Sequence, residues 1–401
     1  MMEEFDRKTD GGKKVTIDLI MLSSFNRAGG GRETWAYNFL PRLLQEKAEV
    51  SLYIYGLKNN DEADHSSAFC SYFADSSRRR LSVKIFNAAK SRLPRVFLMV
   101  GCLLRSPPRA NGVADELRIS LGVGSVIELA MILLFRNFRT QRRVLWLRGI
   151  YLHEKAPRIP FFLEALARKI EISILSKAHV ILANGDDIAE HYRALGLEVT
   201  VIKNGVDLAR WQMPPPTLKA PIKVAFVGRL SKVKGIEEFF RSIELVRARD
   251  EASNFEFHIV GDGEYASRAV ELAKLGHLKY HGAKPNDEIA EFLRNIDVCV
   301  ALTFSSSTLG GGGTSNALME QMAAGKIIIA WDNPHFRQLV EEDIAYLVGQ
   351  GRCDELADTL VRICGERDVA LAKALGGVEV IKRYSFQAQV DRFADIILAE
   401  H

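Results

Sequence analysis

Cysteine is scarce in this chain and unpatterned. Five cysteines (Cys70, Cys102, Cys299, Cys353, Cys364) are scattered over 401 residues with no C-x-x-C pair. That excludes a disulfide framework and a zinc ribbon, and it fits free thiols in a reducing cytoplasm. Long apolar runs are missing as well. The greasiest stretch, residues 119–135, is broken by Gly122, Gly124 and Glu128. It is short of the roughly 20 residues a bilayer span needs, and it reads as strand, turn and buried helix. The start, Met-Met-Glu-Glu-Phe-Asp, is acidic where a secretory signal is basic and then apolar. No D-x-D or H-E-x-x-H motif occurs, and His277 and His281 share only the spacing of the latter. Neither of those metal-binding patterns is therefore available, and no metal or resident cofactor is expected. A composition of 47% hydrophobic and 26% charged residues excludes disorder and collagen-like repeats, and the length suits two domains.

Charge is present but unevenly spread. Residues 71–143 carry 14 Lys and Arg against 4 Asp and Glu, a net +10, while the rest of the chain carries 40 against 46, a net −6. Such a segment reads equally as a solvated basic face and as a dock for anionic lipid headgroups or a phosphate-bearing acceptor. Nucleic acid is not the expected partner, because no helix-turn-helix, finger or aromatic RNA-binding signature accompanies the charge.

Residues 1–13 read as a disordered leader. From Lys14 apolar β-branched runs alternate with amphipathic segments, with strands expected over 15–22, 50–55, 83–86, 126–129, 144–147 and 179–183. Helices are expected over 34–44, 161–175 and 186–195. This alternation predicts an N-terminal doubly wound parallel-sheet domain over 14–206. Residues 207–221, with Pro214-Pro215-Pro216 and Pro221, read as a linker. A second alternation over 222–385 predicts another α/β domain, and the two would face a shared cleft.

Three loops of the second half carry the chemistry. In Gly228-Arg229-Leu230-Ser231-Lys232-Val233-Lys234-Gly235 a strand gives way to a helix, so free amides and the cations Arg229 and Lys234 suit a diphosphate. Gly261-Asp262-Gly263-Glu264-Tyr265-Ala266 matches the G-x-G-x-x-A dinucleotide fingerprint. No carboxylate follows about 20 residues later to hold a ribose, so the tight-turn reading outweighs the nicotinamide one. Gly310 to Gly313 lead into Thr314, Ser315 and Asn316 at the start of a helix. The glycines admit close backbone approach, and Thr314 or Ser315 can cap. Glu320 lies one turn beyond Asn316 on the same face, placed to accept from two vicinal ribose hydroxyls. Gly325 is the expected C-terminal stop.

In this order and spacing, the loops resemble the group 1 (family 4) glycosyltransferases, retaining nucleotide-sugar enzymes of the GT-B fold. The resemblance also rests on Lys203-Asn204-Gly205-Val206-Asp207, on Gly312 to Lys326, on the Gly29-Gly30-Gly31-Arg32-Glu33 loop, and on a closing segment from Tyr384. It implies two Rossmann-like domains, with a last helix over 386–401 crossing back onto the first. It implies that Arg229 and Lys234 neutralise a leaving diphosphate and that Glu320 holds the ribose. Gly228, Gly311, Gly312, Gly313, Thr314, Ser315 and Asn316 would cradle sugar and phosphate, and Gly282 and Ala283 would lie against the base. Gly29, Gly30, Gly31, Glu33, Arg148 and His153 would form the acceptor and phosphate loop. The expected partners are a nucleotide-sugar donor, a glycan or lipid-linked acceptor and an anionic membrane surface, met from the cytoplasmic side.

Two departures stand out. The family usually has an acid eight positions before Glu320, where this chain has Gly312. Many relatives carry His-Gly where Arg148-Gly149 stands, with His153 the candidate substitute. Three functions are therefore carried forward: an active glycosyltransferase, a silent GT-B binding protein, and a nicotinamide-dependent α/β enzyme.

Overall fold

The segment Lys-Val-Thr-Ile-Asp-Leu-Ile folds as strand β1 (Lys14–Ile20), and every residue after the first is buried. Burial on both faces is what a parallel strand covered by helices requires. Even Asp18 is buried, its carboxylate 2.8 Å from Nε of Arg118 on a neighbouring strand. The computed structural model describes residues 14–26, 31–59, 65–88, 116–134, 141–150, 161–305 and 314–398.

After β1 come α1 (Gly31–Glu46), β2 (Val50–Asn59), α2 (Ser66–Cys70), α3 (Asp75–Arg78), β3 (Leu81–Ala88) and β4 (Glu116–Gly124). Next are α4 (Val126–Leu134), β5 (Arg142–Leu147), α5 (Phe161–Leu175), β6 (Val180–Ala183), α6 (Asp186–Ala194) and β7 (Thr200–Val201). These strands form a seven-stranded sheet in the order β3-β2-β1-β4-β5-β6-β7. β1 runs parallel to both β2 and β4. The order reverses between β1 and β4, so the loops after those two strands diverge there.

The later chain repeats the plan. It runs α7 (Leu208–Trp211), β8 (Ile222–Val227), α8 (Ile236–Arg247), β9 (Phe255–Val260), α9 (Ala266–Lys274), β10 (Lys279–Tyr280), α10 (Asn286–Arg294) and β11 (Val298–Ala301). It continues with α11 (Asn316–Ala323), β12 (Ile327–Asp332), α12 (Pro334–Arg337), β13 (Tyr346–Gly349), α13 (Cys353–Gly365), α14 (Arg367–Ile381) and α15 (Phe386–Leu398). The sheet order is β10-β9-β8-β11-β12-β13, with the reversal between β8 and β11, both flanking pairs parallel. The chain thus has two doubly wound parallel-sheet α/β units. One is built on the seven-stranded sheet as far as Arg148, with residues 161–182 and 195–200. The other takes in residues 183–194 and the chain from Val201 onward.

One expected strand is a helix. Residues 126–129 open α4, and the strand lies upstream in β4. The reason is a cap: the backbone N–H and Oγ of Ser125 both donate to the Glu128 carboxylate at 2.8 Å. Ser followed three residues later by Glu is a helix-start signature. The proline-rich stretch over 207–221 is also pinned down. Trp211 and Leu218 are fully enclosed in the core of the six-stranded unit, and Asp297 accepts from the amides of Thr217, Leu218 and Lys223.

Candidate functional site

At the carboxyl end of β8 the chain turns through Gly228 and Arg229, makes a short 3-10 turn over Lys232–Lys234, and enters α8 through Gly235. Gly235 sits in the left-handed region at φ 74°, and a Cβ there would lie 2.3 Å from the carbonyl oxygen of Leu302. Only glycine lets this loop lie against the end of β11. The two loops at the switch point are thereby locked together. Nζ of Lys234 donates to Oγ1 of Thr303 at 3.3 Å, and the amide of Phe304 donates to the carbonyl of Val233 at 2.8 Å.

The electrostatics of this corner are unbalanced. Arg229 is exposed and makes no ion pair or side-chain hydrogen bond among the described residues, and the hydroxyl of Thr303 is what Lys234 bonds to. Burial lowers the pKa of Lys234, and the neighbouring Arg229 charge lowers it further. His335, at the start of α12, lies close enough to feel Lys234. Burial, and then the lysine charge, pushes its imidazole down to about 4, so the ring is neutral near pH 7. Both of its nitrogens are buried without a hydrogen-bond partner.

The glycines after β9 pack against this loop. The Gly228 amide donates to the carbonyl of Val260 at 3.0 Å, and a Cβ on Gly261 would fall 1.8 Å from the Gly228 carbonyl oxygen. The tight-turn expectation for G-x-G-x-x-A therefore holds. The Gly261 amide donates in turn to the carbonyl of Gly282 at 2.8 Å. Gly228, Gly261 and Gly282 thus stand side by side at the carboxyl ends of β8, β9 and β10. Ala283 next to them is exposed. The ring of His281 turns aside to stack on His258, with their ring nitrogens 3.0 Å apart, and His258 reaches Glu256 at 2.7 Å.

Thr314, Ser315 and Asn316 are gathered by two asparagines that the sequence did not single out as functional. The amide and hydroxyl of Thr314 both donate to the carbonyl of Asn184. Nδ2 of Asn204 donates to the Thr314 carbonyl at 3.1 Å and to Oδ1 of Asn316 at 2.8 Å. Ser315 caps α11 by accepting from the Leu318 amide at 3.4 Å. Glu320 follows one turn on, half-buried, and Gly325 ends the helix in the left-handed conformation as expected. Gly311, Gly312 and Gly313 lie outside the described residues.

In the seven-stranded unit the switch-point loops carry a second cluster. Gly31 opens α1 and Glu33 accepts from the hydroxyl of Ser23. Arg32 lies 3.9 Å from the buried Glu128. Burial raises the pKa of Glu128, against the lowering pull of its Ser125 bonds and of Arg32. The guanidinium of Arg148 sits 4.4 Å from the Trp35 ring centre and 4.7 Å from that of Trp146. Burial, and then the like charge of Arg32, pushes it down to about 9. Glu33 lies on α1, and Arg148 stacks on Trp35 of the same helix. Gly29, Gly30 and His153 lie outside the described residues. The sequence offers Arg32 within its loop without a role, and Glu128 only as a break in an apolar run. The Ser125-x-x-Glu128 cap was the signal for it. Nothing in the sequence flagged His335, whose surroundings are entirely tertiary.

Comparison with known proteins points the same way. Residues 221–366 match the sequence profile of the family "Glycosyl transferases group 1". The phosphatidyl-myo-inositol mannosyltransferase of Mycolicibacterium smegmatis is 29% identical over 224 residues, 53% of this chain and 56% of that protein. The amylovoran biosynthesis glycosyltransferase AmsK of Erwinia amylovora is 23% identical over 207 residues, 50% of each. The chain spans about half the length of the curated relatives it matches. Among solved structures, sucrose-phosphate synthase (tll1590) from Thermosynechococcus elongatus superposes with a TM-score of 0.67 at 15% identity, over 96% of this chain and 98% of that one. Anabaena Alr3699/HepE in complex with UDP-glucose superposes with a TM-score of 0.68 at 14% identity, over 96% and 99%. The fold is the GT-B type.

Proposed function

We propose that this chain is a retaining, metal-independent glycosyltransferase. It moves a hexose from a nucleoside diphosphate sugar to a glycan or lipid-linked acceptor in the synthesis of cell-surface polysaccharide or glycolipid. The observation that carries the proposal is the pair Arg229 and Lys234: two cations at a switch point, one exposed and one half-buried, with no carboxylate on either. Like charges gathered without a counter-ion cost stability, and they pay off only when an anion arrives.

In this reading the C-terminal unit takes the donor. Arg229, Lys234 and the amides beside Gly228 receive the diphosphate. Glu320 takes the ribose hydroxyls, residues 311–316 the sugar and its phosphate, and Gly282 and Ala283 the base. As the anomeric C–O bond breaks, its electron pair goes to the leaving phosphate, which accepts the acceptor hydroxyl's proton as the new C–O bond forms on the same face. Preorganised cations stabilise that developing charge without reorganising. The N-terminal unit takes the acceptor around Gly29 to Glu33, Arg148 and His153. Support for a membrane-bound acceptor comes from the +10 segment and from α5, where Leu163, Leu166 and Ile170 share one face and are 40%, 54% and 52% exposed. Among the described residues no helix is long and apolar enough to cross a membrane.

A panel of UDP-, GDP- and ADP-sugars in thermal-shift and turnover assays tests the proposal. Weakened binding and turnover lowered about 10²–10³-fold are expected in Arg229→Ala and Lys234→Ala. Undiminished turnover in both variants would overturn it. A silent binding protein is the second reading, motivated by Gly312 where relatives carry an acid. It predicts donor binding with neither transfer nor hydrolysis.

A further inference from the structure

A cavity of about 280 Å³ opens at the amino end of α15, lined among others by Asp186, Lys203, Arg383, Tyr384, Gln389 and Arg392. None of its lining residues belongs to the donor loops. Lys203 is already committed. Its Nζ lies 2.9 Å from Oδ2 of Asp186, donates to the Gln338 carbonyl at 2.5 Å, and stands 5.6 Å from the Tyr384 ring centre. That pair cancels, leaving Arg383 and Arg392. Both are exposed, and neither has an ion pair or hydrogen bond among the described residues.

The deepest polar group faces the opposite problem. Gln389 is only 4% exposed, and its Nε2 donates to the Lys203 carbonyl at 2.8 Å. Its Oε1 is shut from solvent and receives no donor. Turning the amide over would set two carbonyl oxygens against each other, so the orientation is fixed by chemistry. A buried acceptor without a donor is rare in folded proteins and calls for an explanation. The cavity also meets the first turn of a 13-residue helix, whose positive end favours an anion. Ser385 caps that turn, accepting from the Ala388 amide at 3.1 Å.

We propose that this cavity is a binding site for a small phosphorylated polyol. The phosphate lies between Arg383 and Arg392 at the amino end of α15, and the Gln389 side chain shifts toward the cavity so that its Oε1 accepts from a ligand hydroxyl. The volume, at the low end of ligand pockets, admits a group of sugar or glycerol size and excludes a whole nucleotide. The site stands independently of the donor assignment.

The probes are glycerol 3-phosphate, sorbitol 6-phosphate, unphosphorylated sorbitol and inorganic phosphate, titrated calorimetrically into the full chain. Saturable binding of one phosphorylated polyol per chain is expected, with none for sorbitol. Arg383→Ala and Arg392→Ala should each weaken it about tenfold, as loss of a charge-assisted hydrogen bond does. Gln389→Leu should weaken the polyol phosphates more than inorganic phosphate. Lys234→Ala, which removes a donor cation, should leave binding intact. Vesicles containing phosphatidic acid form a second arm. Capture by vesicles alone, lost in the two arginine variants, assigns the same site to a lipid headgroup. Because both arginines are exposed, their variants should melt like the parent, and they keep the test valid even if Gln389→Leu misfolds. No saturable binding in either arm, or binding indifferent to both arginine variants, overturns the proposal.

Discussion

Arg229 and Lys234 should reveal themselves by opposite effects on stability and rate. Side chains placed for packing lose stability when truncated, whereas cations held together for a ligand relieve repulsion. Lys234→Ala is therefore expected to leave chemical-denaturation stability unchanged or slightly raised while lowering turnover about 10²–10³-fold, the range for removing one preorganised donor. A clear loss of stability would make Lys234 a structural residue instead. His335 gives the second prediction at this scale. Its imidazole is held near 4, below the ordinary 6.5, because burial and Lys234 disfavour the charged form. The unfolded chain then binds the extra proton first. Stability is complete above about pH 6.5 and falls as the pH drops toward 4, with this group contributing on the order of 3 kcal/mol. In His335→Gln that slice of the acid loss should disappear, read as a flatter urea-stability profile between pH 6.5 and 4 than the parent's. Parallel profiles would mean the imidazole is not held neutral. The cation pair was visible in the sequence because strand, glycine and cation follow one another within a few residues. His335 was not, because the lysine it senses lies about a hundred residues away, on another loop.

Elements that alternate were legible and boundaries set by a single cap were not. The run from Ile222 to Val227 announced its strand by β-branched residues buried against helices on both sides. Residues 126–129 look the same by composition, yet the Ser125–Glu128 cap makes them helix, and a local hydrogen bond outweighs propensity. The switch-point loops show how little tolerance such elements have. Gly261→Ala would drive a methyl group to 1.8 Å from the Gly228 carbonyl, whereas nothing lies within 4 Å of a Cβ at Gly276. Both glycines have positive φ, so both alanines pay about 1 kcal/mol of strain. Gly261→Ala should lose at least about 2 kcal/mol more and most donor affinity, Gly276→Ala neither, as measured by urea midpoints and donor titration. Helix α5 is the element proposed to meet the membrane. It exposes Leu163, Leu166 and Ile170 while burying Glu171, and Leu134 on α4, which packs beside it, is 73% exposed. Burying such a stripe in a lipid interface is worth roughly 1 kcal/mol per leucine. Leu166→Asp should therefore reduce sedimentation with phosphatidylglycerol vesicles several-fold and leave turnover of a soluble acceptor unchanged. Equal sedimentation would remove α5 from the membrane surface.

At the scale of the whole molecule, length and alternation announced two α/β units, and the two sheet orders explain why the candidate side chains gather where they do. In each sheet the order reverses once, between β1 and β4 and between β8 and β11. The loops that leave those strands carry Glu33, Arg32 and Glu128 in one unit and Arg229, Lys234 and Thr303 in the other. A donor held as proposed touches loops after three strands of one sheet, β8, β10 and β11, yet it stabilises them by mass action alone: about 2.7 kcal/mol at a hundredfold excess over its Kd. That free energy must appear in the amides whose opening frees the ligand. Hydrogen exchange with saturating nucleoside diphosphate sugar should slow by up to about a hundredfold at residues 228–235, 260–264 and 302–305, with a smaller effect along α11. The β1–β4 edge of the seven-stranded unit should keep its free-state rates until an acceptor is added. Uniform protection across both sheets would mean that the nucleotide acts by global stabilisation rather than at these loops. Protection confined to the loops after β1 and β4 would move the donor to the other unit and reverse the assignment of donor and acceptor.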